Sequence, residues 1–168
     1  MKTLDEARRE MEVEVGRLVV TASELDEMIH ACKGLVMGQQ FTKTWSRKTL
    51  KERANAVQEH INRLNKEGRC EHLDDLKQML DNVRTLADLR NEIAHNPIQF
   101  RHEKMDMFHG KFYFWLHESN RCLYPLEIGE ASTRGRELLI RMFECLRAHE
   151  RCTPRNYPED IEQALTPP

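Results

Sequence analysis

The sequence contains no stretch approaching the roughly 18 consecutive apolar residues of a membrane span, and its opening, MKTLDEARRE, is too charged for a secretory signal. It has no glycine-rich phosphate loop, no serine nucleophile elbow and no H-E-x-x-H pattern, so nucleotide hydrolases and zinc proteases lack support. No internal repeat is present. The cysteines, at 32, 70, 122, 145 and 152, are odd in number and lack C-x-x-C spacing, which excludes a disulfide framework and predicts reduced thiols. Cys70 lies near His72 and Cys122 near His117, yet paired short-spaced ligands are missing, so neither a metal nor any other cofactor is expected. These absences predict a cytosolic, cytoplasmic protein without membrane attachment.

With 168 residues and a formal charge of -2, the chain is long enough for one real core and is not a strongly basic polyanion binder. Charge is distributed unevenly. Asp5, Glu6, Glu10, Glu12, Glu14, Glu24, Asp26 and Glu27 make the N-terminal region acidic, whereas Lys43, Arg47, Lys48, Lys51 and Arg53 cluster as bases. A second basic set runs through Arg134, Arg136, Arg141, Arg147, Arg151 and Arg155. The asymmetry suits RNA binding or protomer pairing, and equally suits solvated helix faces with intrahelical pairs. Lys43, Arg47, Lys48 and Lys51 are the RNA-binding candidates.

Leu4, Ala7, Met11, Val15, Leu18, Ala22, Leu25, Ile29, Cys32 and Val36 recur at threes and fours, the stripe of one long helix ending near Gly34 or Gly38. A polar link leads to a second helix through Leu50, Ala54, Val57, Ile61 and Leu64, with Ser46 as N-cap and Gly68 as stop. A third begins near Cys70 and runs through Leu73, Leu76, Leu80, Val83, Ala87, Arg90 and Ala94 to the Asn96–Pro97 step. The helical period is then lost, and KFYFWLH predicts a β-hairpin or meander. A fourth helix, capped by Ser132 or Thr133, turns Leu138, Met142, Cys145 and Leu146 inward. The expected fold is mainly all-α: an up-and-down four-helix bundle over 1–151, a small β insertion at about 98–129 between helices 3 and 4, and a proline-containing tail over 152–168 with one short helical turn after Pro158.

Arg90 interrupts the third seam. At about 100° per residue it projects within roughly 40° of Val83, Ala87 and Ala94, and an unpaired buried guanidinium would cost several kcal/mol. It must therefore be paired or reach water. Asn91 and His95, one turn apart, join it at the helix C-terminus, where the negative end of the dipole favours an imidazolium and raises the histidine toward working pH. Such a trio suits attack on a phosphodiester: His95 as acid or base, Arg90 against charge on the phosphoryl oxygens, Asn91 for positioning. The same residues equally fit an ion pair from Arg90 to Glu92 or the first helix, with His95 as a helix cap.

Within LRNEIAHNP, Arg90, Asn91 and His95 resemble the signature of the HEPN superfamily: an arginine, then a polar residue that is often asparagine, with a histidine after four to six intervening residues. The match falls at the end of a long helix, as in that family. The resemblance covers Leu4 to His149, with only Leu89 to Pro97 specific. It implies a four- or five-helix bundle, a homodimer in which two motifs meet across a cleft, and RNA as partner. Many members are metal-independent endoribonucleases leaving cyclic phosphate ends, often toxins or defence factors, some with an antitoxin protein. Others bind RNA, nucleotides or proteins without cutting. Some family toxins carry a modified tyrosine two residues after the histidine; here that position is Pro97.

Phe108, Phe112, Tyr113, Phe114, Trp115 and Trp45 have two readings, base stacking or packing against helices. His102, His109 and His117 read as turn or surface positions.

Overall fold

The computed structural model describes residues 3–39, 42–66, 73–95, 98–102, 112–116 and 119–152. Five helices and one antiparallel sheet occur among them: α1 (Leu4–Leu35), α2 (Lys43–Ser46), α3 (Leu50–Lys66), α4 (Asp74–His95), β1 (Ile98–His102), β2 (Phe112–Leu116), β3 (Arg121–Leu123) and α5 (Pro125–Cys152). The expected mainly helical chain with a meander between its last two helices is therefore present. Cys70, His72, Gly68, His109, His117, Phe108, Asn96, Pro97, Arg155 and the tail after Pro158 lie outside the described residues, as do the side chains of Leu4, His102, Phe112, Phe114, Arg151 and Cys152.

Local chemistry explains the helix limits. Thr3 and Glu6 form a reciprocal capping box, in which the Glu6 amide donates to Thr3 Oγ1 at 3.2 Å and the Thr3 amide to Glu6 Oε2 at 2.8 Å. α1 stops where Gly38 adopts φ +60, a conformation costly to residues with a side chain. Ser46 is not the cap of the next long helix; it ends the four-residue α2, and α3 is capped by Thr49, whose amide donates to Glu52 Oε2 at 2.7 Å. α5 starts seven residues before Ser132, with Pro125 at its first position and the Tyr124 amide donating to Glu127 Oε2 at 2.8 Å. Ser132 and Thr133 are interior residues that donate back to the carbonyls of Ile128 and Gly129. The β insertion thus ends before Pro125, short of residue 129.

The apolar stripes converge on one core. Met11, Leu18, Leu25, Ile29, Ile61, Leu76, Leu80, Val83 and Met142 are buried, each large side chain contributing about 1.5–3 kcal/mol. The sheet runs β1-β2-β3, with Ile98 opposite Leu116 and Phe114 opposite Leu123. Leu116 and Leu123 are fully buried and anchor the sheet in that core.

Helix directions depart from the up-and-down expectation. Contacts of Lys51 with Asp88, Arg84 with Asn55 and Asn65 with Asp74 make α3 antiparallel to α4. Gly129 faces Glu14 and Gly135 faces Thr21 and Leu25, while Cys145 lies in the field of Cys32, so α5 runs parallel to α1. Gly135 also faces Leu86 and Cys145 lies near Asp75, which makes α4 antiparallel to both. Three long helices therefore point one way and α4 the other. The cause is the segment between α1 and α3, which doubles back along α1 before α3 begins.

That return is held by a buried polar cluster. Trp45, 4% exposed, donates from Nε1 to His30 Nδ1 at 3.1 Å, and the Lys33 Nζ sits 4.9 Å from its ring centre. Arg53 Nη1 lies 2.5 Å from Asp26 Oδ1 and 2.7 Å from His30 Nε2, and Nη2 donates to the Ser46 carbonyl at 3.3 Å. Trp Nε1 and Arg Nη1 are both obligate donors, so a neutral imidazole serves only one of them as a true acceptor at a time. Arg53 is thus a core residue and not part of a solvated basic cluster.

Candidate functional site

α3 begins at Leu50, and Lys51 meets α4 at Asp88, 2.8 Å from Oδ2. The last two turns of α4 therefore extend past the start of α3. This explains the seam arginine. Val83 and Ala87 are buried beneath their neighbours, whereas Arg90, on the same stripe, is only half-buried and Ala94 is exposed. Ala94 does not continue the seam as expected; Ile93 does, at 4% exposure. The guanidinium sits where the stripe emerges from cover, so its charge reaches water and escapes the full burial cost.

Arg90 Nη1 donates to Asn91 Oδ1 at 3.0 Å. No carboxylate among the described residues pairs with it. The anticipated Arg90–Glu92 ion pair is absent because Glu92 projects to another side of α4 and meets Arg121 Nη1 of β3 at 3.5 Å. Lys51 on Asp88 and Arg121 on Glu92 offset the two carboxylates nearest the motif, while Arg90 keeps its positive charge. His95, on the final turn and one turn beyond Asn91, is exposed. An exposed imidazole, a half-buried guanidinium with donors to spare and an amide holding it are thus grouped at one helix end. That set can bind a phosphate and move a proton beside it.

The basic candidates are distributed differently. Lys51 reaches α4 at Asp88, but Lys43, Arg47 and Lys48 belong to the returning segment that Trp45 pins to His30. Lys43 therefore lies beside the C-terminal half of α1, and the motif is level with the N-terminal half. Trp45 is packed and unavailable for stacking. Tyr113 is half-buried with its ring 5.8 Å from that of Tyr124, and Trp115 is half-buried. Arg121 was not legible as a site neighbour; only the fold of β3 brings it to α4.

Cys32, Cys122 and Cys145 are free thiols. Burial pushes the Cys32 thiol up to about 12 and also raises Cys145, which lies in the field of Asp75. Neither is poised as a nucleophile. No helix among the described residues is long and apolar enough to cross a membrane.

Comparison with known proteins returns no matching family model, no matching curated protein and no matching solved structure.

Proposed function

We propose that this chain is a HEPN-like, metal-independent endoribonuclease of the cytoplasm, a homodimer acting as a toxin, defence or RNA-processing factor. The proposal reads the helical body as a HEPN-type four-helix bundle with its own helix directions. The observation that carries it is Arg90: a charged side chain on the core stripe, uncovered where α3 begins, joined to Asn91 and to no described carboxylate, one turn from the exposed His95. A purely structural arginine would carry its counter-ion, as Arg53 does with Asp26.

In this reading His95 takes the proton of a ribose 2′-hydroxyl. The freed oxygen attacks the adjacent phosphorus, the bond to the 5′ oxygen breaks, and that oxygen takes a proton from solvent. The products are a 2′,3′-cyclic phosphate and a 5′-hydroxyl. Arg90 bears on the phosphoryl oxygens as negative charge builds there, and Asn91 fixes the guanidinium. Lys51 and Arg121 offset Asp88 and Glu92, which lowers the repulsion these α4 carboxylates would exert on an approaching phosphate.

The test is cleavage of end-labelled RNA by purified protein in EDTA, with Arg90→Ala and His95→Ala prepared in parallel. Cutting by the wild type with cyclic phosphate ends, absent in both variants, supports the reading. Equal inertness of all three overturns it in favour of a non-catalytic HEPN-like module that binds RNA, nucleotides or a protein. RNA binding lost on Arg90→Ala but kept on His95→Ala would then identify the ligand.

A further inference from the structure

The chemistry assigned to Arg90, Asn91 and His95 acts on a phosphate and a ribose hydroxyl, and none of it seats a base. The sheet beside them offers that contact. Leu116 and Leu123 are fully buried in the core, so side-chain alternation turns their neighbours Trp115, Cys122 and Tyr124 to the opposite face, together with Tyr113. The ring contact of Tyr113 with Tyr124 agrees with this assignment. All four side chains are half-buried, and the two tyrosine rings, 5.8 Å apart, are tilted at 58° instead of stacked. Aromatic rings thus hold the outer face of the central strand, with Tyr113 and Trp115 about 7 Å apart along it.

Charge and position fit this face to a nucleic acid strand. The strands read IQFRH, FYFWL and RCL, with no aspartate or glutamate although the chain has 28 such residues. A polyanion therefore meets no carboxylate repulsion from the sheet itself. Ile98, Leu116 and Arg121 form one cross-strand row, and Arg121 of that row meets Glu92 on the last turn of α4. Trp115 belongs to the next row, between Gln99 and Cys122. β1 begins three residues after His95, so chain length and strand spacing hold the Trp115 Cα within about 20 Å of the His95 Cα. At about 3.4 Å per nucleotide for a stacked strand, and more for an extended one, that span is at most about six nucleotides.

We propose that Trp115 and Tyr113 form a base-stacking platform for unpaired RNA, seating bases of the same strand whose phosphate lies at Arg90 and His95. Aromatic side chains on a sheet face are a recurring way to seat splayed bases, whereas a duplex keeps its bases stacked on one another. Single-stranded RNA is therefore the substrate class. Packing against helices, the other use open to these aromatics, is served on the inner face by Leu116 and Leu123. The inference rests on the ribonuclease reading for its ligand, RNA, and adds the contact that selects unpaired bases.

Tryptophan fluorescence tests this. The chain has two tryptophans, and Trp45 is 4% exposed, bonded to His30 and covered by Lys33, so a ligand-dependent change reports Trp115. His95→Ala protein is titrated with a single-stranded RNA of about eight nucleotides, with the same RNA in duplex, and with an abasic ribose-phosphate chain of equal length. The expected result is quenching by the single strand alone, with binding of labelled RNA weakened at least about fivefold by Trp115→Ala and largely restored by Trp115→Phe. Absence of quenching by the single strand, equal binding of the abasic chain, or unchanged RNA affinity in a folded Trp115→Ala variant overturns the proposal. The first two results are read with the platform intact, so they decide the matter even where Trp115→Ala fails to fold. Wild-type cleavage assayed in parallel separates the two readings. Cutting without quenching keeps the ribonuclease and removes the platform, whereas quenching without cutting keeps the platform on a protein that binds RNA and does not cleave it.

Discussion

Two arginines, Arg53 and Arg90, occupy core stripes, and replacing each with methionine should separate their roles. Methionine keeps the apolar stem and deletes the charge. Arg53 is 9% exposed at its side chain, donates to Asp26 and the Ser46 carbonyl, and lies against His30. Its removal leaves Asp26 and the Ser46 carbonyl without this donor, while His30 keeps its bond from Trp45. Breaking a buried pair costs about 3–5 kcal/mol, and the lower figure applies because Asp26 remains 33% exposed. For a chain of this length about 3 kcal/mol corresponds to a fall in Tm of roughly 6–12 °C. Arg90 loses a single bond to Asn91, worth about 1 kcal/mol, and methionine regains a similar amount by extending the apolar stripe. Its Tm should move by no more than about 3 °C, while RNA cleavage disappears. Calorimetric melts of both variants, beside the cleavage assay, provide the measurement. If Arg90→Met falls as far as Arg53→Met, the seam arginine is structural and the site argument fails.

Two further outcomes follow from particular contacts. Gly135→Ala should cost about 2 kcal/mol in a urea titration, since its Cβ would lie 2.5 Å from Thr21 Cγ2 and 3.3 Å from Leu86 Cδ1, whereas Gly129→Ala meets only the flexible end of Glu14 and should be neutral or stabilising; equal effects would refute the packing assigned to α1, α4 and α5. The Cys32 thiol, pushed up to about 12, stays protonated in the fold while the unfolded thiol ionises near 9, so its stabilising contribution is full below that value and is lost by about 1.4 kcal/mol per unit as pH rises toward 12. The wild-type minus Cys32→Ala difference in stability, followed from pH 8 upward, should show this decline, and a flat difference would contradict it.

How much of this could be read beforehand depended on whether the signal was local. The α1 stripe from Ala7 to Val36, the end of α4 beside Asn96 and the meander around KFYFWLH are short-range patterns, and they appear where expected. The start of α5 was hidden because Leu126, Gly129 and Glu130 blur the apolar period; the proline at the first helical position and Glu127 three residues after Tyr124 were the available signals. Helix direction was not legible, since it is set by how residues 42–49 pack against α1. Arg53 reads in sequence as one more base after Lys48 and Lys51, and its role emerges only when Asp26 and His30, more than twenty residues earlier, come alongside.

The same non-local fact explains why the Arg90, Asn91 and His95 cluster can sit at the end of α4 at small cost to the fold. The core is closed by α3 only as far as Asp88, where Lys51 is tied. Beyond that point the α4 stripe still aims inward along its wheel but has lost a covering helix, so Arg90 can hold a charge that would be prohibitive three or four residues earlier, at Ala87 or Leu86, which are 3% and 7% exposed. Had the chain continued in strict alternation, α3 would run against its observed direction, and its C-terminal end, not Lys51, would be the part of it nearest the motif. The returning segment pinned by Trp45, His30 and Arg53 therefore determines where α3 starts, and through that start, which turn of α4 is left open. Weakening the pin by Trp45→Ala should accordingly raise hydrogen exchange over α2 and the first turns of α3 and reduce cleavage, although Trp45 touches neither Arg90 nor His95. Protection lost there with undiminished cleavage would show that the open turn is defined by α1 and α5 alone.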